Sequence, residues 1–312
     1  MKHTLLYLLV AFAAGTSCTG SSPEDDGMSL RLLSVKLPGT MATTKSEVTS
    51  VSAVNVYVTK SDKSDYATGA SLLEFTKTNG SWIPDQELEL TTAAGTATIY
   101  GGYPVSGTVT NDGVMPKMAV QILSADNFSG TSQSDYLYAN QTKPVTASTD
   151  SRNISLEMLH ALAKVSFCVS KASGVSEEMV LTGIDIISRN SRMLKGDGSM
   201  LLNDGTLNAL TETDSLHLAG SVTLAPSQST PNVNCLVAPM VASETGLSFS
   251  LHVRVGSVER VFTTAPVSVS VKWEKGSQYI YKIQINKMSG TLTDITINKW
   301  QTDASPNTSI GI

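Results

Sequence analysis

Four histidines, three cysteines and a scatter of carboxylates are the residues from which this chain would have to build a catalytic or metal-binding centre. His160 stands inside an apolar run, where an imidazole reads as a hydrogen-bonded structural group rather than a base or ligand. His217 and His252 lie in separate segments and show no metal-ligand spacing. The chain has no Gly-x-Ser-x-Gly turn for a nucleophilic serine, no phosphate-cradling Walker loop and no Cys-x-x-Cys pair. Glu24-Asp25-Asp26 and Glu177-Glu178 read as solvated charge. The expectation is a protein that is not an enzyme and carries no metal or cofactor. Cys168 and Cys235 fall in two expected strands, and a disulfide between them and two buried free thiols are both open readings. Trp82, Trp273 and Trp300 would make a sugar platform if exposed, but each sits beside strand residues and reads as core.

Cys18 has a different setting. Met1–Ser17 begins with Lys2 and His3, continues through the apolar run Leu5–Ala14, and ends in Gly15, Thr16 and Ser17. The run is too short to span a bilayer as a stable helix, so residues 1–17 read as a cleaved export signal. A cysteine directly after small residues matches the lipobox pattern, in which the thiol is acylated and becomes the new N-terminus. Gly15 stands where that pattern usually has Leu, and an ordinary secretory signal with an incidental cysteine is the other reading. Acylation at Cys18 would supply enough buried methylenes for stable anchoring in an outer membrane. Residues 18–28 then form an acidic tether.

The elements that must position everything else are strands. Hydrophobic content of 41% supports real cores, and 312 residues suffice for two lobes. A net charge of −5 lacks the basic footprint of a nucleic-acid binder. In the middle of the chain, Val165, Phe167 and Val169 alternate with Ser166, Cys168 and Ser170, the period of a strand with one face in a core. Met158–Val165 before it could be helix or strand; the β-branched continuation favours strand. Val54, Val56 and Val58 share one face of another strand, and Asn79-Gly80 marks a hairpin. Lys195–Gly198 and Asn203–Gly205 are turn signals around Met200–Leu202. Leu247–Val255 and Gln278–Asn286 alternate cleanly. The pattern predicts an all-β protein with lobes at residues 29–153 and 154–312, divided near Ser148–Asn153.

The order of several short pieces resembles the fimbrillin family of Bacteroidetes, the subunits of surface fimbriae. The pieces are Leu159–Val165, Leu236-Val237-Ala238-Pro239, Trp273-x-x-Gly276-x-x-Tyr279-x-Tyr281, and Ile295-x-Ile297-x-x-Trp300, with the lipobox at the other end. The resemblance implies two tandem transthyretin-like β-sandwiches and an assembly function at the cell surface. It implies as partners other fimbrillin subunits, the outer membrane through the lipid anchor, and host or bacterial surface ligands. It also implies proteolytic removal of the first strand, Ser29–Leu37, leaving an apolar groove that a neighbouring subunit's strand fills. The candidate donor is the C-terminal segment with Ile295, Ile297, Trp300, Ile310 and Ile312. The family's cut usually follows an arginine, whereas the loop Pro38–Thr49 contains only Lys45. Either the chain is cut between Lys45 and Ser46, or the subunit stays uncut as a basal anchor. A surface glycan-binding lipoprotein is the alternative function.

Overall fold

The computed structural model describes residues 28–37, 50–140, 144–148, 151–188, 195–212, 215–240, 243, 245–287, 289–299 and 308–310. All regular structure among them is β-strand. The first half contributes β1 (Arg31–Lys36), β2 (Ala53–Lys60), β3 (Leu72–Thr78), β4 (Ser81–Pro84), β5 (Ala97–Tyr103), β6 (Val109–Asn111), β7 (Pro116–Ile122) and β8 (Leu137–Asn140). Next come β9 (Asn153–Glu157), β10 (Leu159–His160), β11 (Ala163–Lys171), β12 (Met179–Ile187), β13 (Gly196–Leu201), β14 (Leu207–Asn208) and β15 (Leu216–Thr223). The chain finishes with β16 (Val233–Val237), β17 (Ser248–Val255), β18 (Val258–Thr263), β19 (Ser277–Ile285), β20 (Gly290–Lys299) and β21 (Thr308–Ile310).

The first lobe is built on a six-stranded sheet of order β10-β8-β5-β2-β3-β4. β3 and β4 turn at Asn79 and Gly80, whose φ values of 51° and 87° lie in the left-handed region that Asn and Gly tolerate. One face of the sheet carries Val54, Val56, Val58, Phe75 and Ile99 against Leu30, Leu32, Ile154 and Leu156. β1 and β9, paired in parallel, belong to that covering layer. The alternation of β2 predicts only this buried face, yet Asn55, Tyr57 and Thr59 on its other side are buried too. The reason is a second covering sheet, β14-β13-β7-β6, whose Met118, Val120 and Met200 pack with Tyr57, Tyr100 and Tyr138. The structure thus adds a third layer to the sandwich expected.

β13 is the unexpected member of that layer. Sequence order places it in the second lobe, but it pairs antiparallel with β7, Met200 opposite Met118. Met200 and Leu202 need apolar cover, and the tyrosine face of the central sheet supplies it. Gly205 closes the hairpin at φ 72°, and a Cβ there would lie 2.2 Å from Tyr138 Cε1. β9 and β10 likewise fall beyond Ser148–Asn153 yet pair with β1 and β8.

In the second lobe the sheets β16-β11-β19-β20-β21 and β15-β12-β17-β18 face each other. Val165, Phe167 and Val169 point inward from β11, as their alternation predicts. Phe167, Phe249 and Tyr281 meet at centroid distances of 4.7–5.7 Å. The buried Trp273 indole donates to Tyr281 Oη at 2.9 Å, which satisfies a polar group deep in the core. Between the lobes, Gln133 Nε2 donates to the carbonyls of Leu123 and Leu236 at 2.7 and 2.9 Å, and its Oε1 accepts the Leu236 N–H at 2.8 Å.

Candidate assembly interface

β1 is attached to the fold along a narrow front. Among the described residues its ladder is with β9 alone, Arg31 opposite Asn153 through Lys36 opposite Glu157, interrupted by an irregularity between Leu32 and Ser34. Just before it, the Leu30 N–H donates to Leu88 O and the Leu90 N–H donates to Met28 O. Its apolar grip is Leu30 and Leu32, both buried with Val54, Val56, Ile154 and Leu156, and the partly buried Val35 and Leu37, while Leu33 is 61% exposed. Without β1, one edge of β9 and the slot under Leu30 and Leu32 would lack cover. Lys45 and Ser46, the expected cut, lie outside the described residues, as does Cys18.

The C-terminal candidates divide. β20 pairs with β19 along its whole length, Ser277 opposite Lys299 through Ile285 opposite Gly290. Ile295 is fully buried in the second lobe's core, and Ile297 packs against it. β21 forms the outer edge of that sheet and pairs with β20 only over Ile295–Ile297, Ile310 standing opposite Ile295. The remaining outward edge of β20, before Ile295, has no ladder partner among the described residues. Trp300 and Ile312 lie outside the described residues.

Cys168 and Cys235 are both buried free thiols. Cys235 pairs with Val165 and so shares its inward face, whereas Cys168 is displaced by an odd number of residues and points out of the opposite face. In this arrangement the sheet itself stands between the two thiols. Burial pushes both thiols up from their ordinary range. His160 is buried with Nδ1 3.2 Å from Asp135 Oδ1, the structural role its setting predicts. Trp273 is fully buried and Trp82 packs at the edge of the first lobe's core, so the two share no surface.

One constellation escaped the sequence reading. Asp185 on β12, His217 on β15 and His252 on β17 converge on the outer face of the second lobe. His217 Nδ1 lies 2.6 Å from Asp185 Oδ1, and His252 Nε2 lies 2.7 Å from Asp185 Oδ2. Burial draws the Asp185 carboxyl upward, but hydrogen bonds from His252 and His217 outweigh it and hold the group below the usual carboxylate range. The available signal was alternation: Leu216 and Leu218 flank His217, and Leu251 and Val253 flank His252, so both imidazoles must face away from the core. Linear spacing carries no information about the register that brings them together.

The geometry defines an all-β protein of stacked sheets in which, among the described residues, β1 is laddered to β9 alone and part of the outer edge of β20 has no ladder partner. A family model described as fimbrillin-like matches residues 39–300, and the chain belongs to that family. Solved structures of similar fold include a fimbrial protein from Bacteroides vulgatus, 13% identical with a TM-score of 0.60, covering 88% of this chain and 99% of that one. A candidate cell adhesion protein from Bacteroides ovatus is 15% identical with a TM-score of 0.56, covering 88% and 98%. Another, from Bacteroides uniformis, is 15% identical with a TM-score of 0.54, covering 88% and 100%. At these identities the likeness shows the fold. No curated protein matches the chain at a significant level.

Proposed function

We propose that the protein is a non-catalytic structural subunit or associated adhesin of a surface fimbria. It is exported as a lipoprotein acylated on Cys18 and joined to other fimbrillin subunits by strand exchange once β1 is removed. The observation that carries the reading is the attachment of β1: two buried leucines with Val35 and Leu37 packed beside them, and, among the described residues, a single parallel ladder to β9. Loss of such a strand leaves unpaired backbone groups beside an apolar slot, and another chain's alternating strand satisfies both. The contact is head-to-tail and does not close on itself, so it extends into a filament. Cleavage between Lys45 and Ser46 would free β1 while leaving β2 intact.

On the donor side, Ile295 and Ile297 pack in the core of their own lobe, so the donor we propose is the stretch that follows β20, with Trp300, Ile310 and Ile312. The deciding experiment is limited trypsin treatment of purified precursor, followed by mass spectrometry and native gel electrophoresis. A product beginning at Ser46 that forms a ladder of oligomers supports the reading. A product that loses β1 and stays monomeric at every concentration refutes it.

A further inference from the structure

We propose that Asp185, His217 and His252 form a Zn²⁺ site on the outer face of the second lobe, with a fourth coordination position open to solvent or to another molecule. Two imidazoles and one carboxylate are a donor set that suits zinc and its transition-metal neighbours. A hard cation such as Ca²⁺ or Mg²⁺ needs six or more oxygen ligands, and a single carboxylate does not supply them. The donor atoms lie within 4.8 Å of one another.

The site is preorganised by the sheet under it. Asp185 stands directly opposite His217 in the β12–β15 ladder, and His252 stands opposite Gly183 in the β12–β17 ladder. Each donor is flanked along its own strand by fully buried residues: Ile184 and Ile186, Leu216 and Leu218, Leu251 and Val253. Those anchors fix the three Cα positions while the side chains stay on the wet face. Gly183 sits between the two rings, where a Cβ would lie 3.1 Å from His217 Cε1 and 3.4 Å from His252 Cδ2. Its bare backbone lets the imidazoles lean toward each other, with ring centroids 5.9 Å apart and planes 81° crossed.

Tetrahedral zinc donors stand about 3.3 Å apart. The two His–Asp contacts, at 2.6 and 2.7 Å, are hydrogen-bond lengths, so an entering ion replaces the two protons and opens each contact by about 0.6 Å. His217 then binds through Nδ1, His252 through Nε2, and Asp185 through one oxygen; a ring that carries a single proton moves it to its other nitrogen, and a doubly protonated ring releases one to solvent, so each imidazole binds in its neutral form. Side-chain exposures of 49% and 35% leave both rings free to make that rotation.

The test is calorimetric titration of the metal-stripped full chain with ZnCl₂, repeated with CaCl₂ and MgCl₂. The expected result is one zinc per chain, no calcium or magnesium heat, and an affinity loss of at least about tenfold in each of His217→Ala, His252→Ala and Asp185→Asn. As a second readout independent of how the variants fold, zinc should protect His217 and His252 of the wild-type chain from diethyl pyrocarbonate, mapped by mass spectrometry. Absence of binding, or zinc binding that leaves both histidines equally reactive, would reduce the cluster to a hydrogen-bonded strap across three strands.

Discussion

If β1 is held chiefly by two leucines, a single methylene-rich side chain should control how long it stays after the covalent link is cut. Leu32 is 4% exposed and lies in the first lobe's core, while Leu33 beside it is 61% exposed. Leu32→Ala removes buried surface and leaves a cavity, which costs about 2–4 kcal/mol. Leu33→Ala changes an exposed position and should cost under about 0.5 kcal/mol. Because about 1.4 kcal/mol is a factor of ten, retention of the cut peptide should weaken roughly 30- to 700-fold in Leu32→Ala and about twofold in Leu33→Ala. The assay is size-exclusion chromatography of trypsin-nicked protein with mass spectrometry of each fraction, alongside urea unfolding of the intact variants. Strand exchange should quicken in step with peptide loss. Equal retention in the two variants would show that β1 is not gripped through Leu32. Faster peptide loss without faster oligomer growth would sever strand removal from assembly.

Three further outcomes follow from single contacts. Gln133→Ala strips the Leu236 N–H and carbonyl of their side-chain partner at the junction of the lobes, and should cost about 2–4 kcal/mol in urea unfolding. Tyr281→Phe leaves the buried Trp273 indole N–H without its acceptor, and should cost about 1–3 kcal/mol, accompanied by a shift in tryptophan fluorescence. Asp112 is hydrogen-bonded by Lys117 and by the N–H groups of Val114 and Met115, which hold its carboxyl at about 2. Its folded-state value lies below its unfolded one, so its contribution is complete above the ordinary carboxylate value of 3.8 and is lost as pH falls toward about 2. NMR titration should find it there, and Lys117→Met should raise it.

Much of the framework was legible one strand at a time, because alternation is a local consequence of pleating. The inward set Val165, Phe167 and Val169, the Asn79-Gly80 hairpin and the structural role of His160 all follow from residues a few places apart. The all-β class and the family resemblance rest on the same short-range chemistry. What the chain could not reveal linearly was register and neighbourhood. Cys235 faces inward only because it pairs with Val165. The β13–β14 hairpin joins β7 only because Met200 and Leu202 find the tyrosine face of a sheet formed over a hundred residues earlier in part. Asp185, His217 and His252 meet only because two ladders align their three strands. Period-two patterning specifies which face a side chain takes, but hydrogen-bonded pairing between distant strands decides whom it meets there.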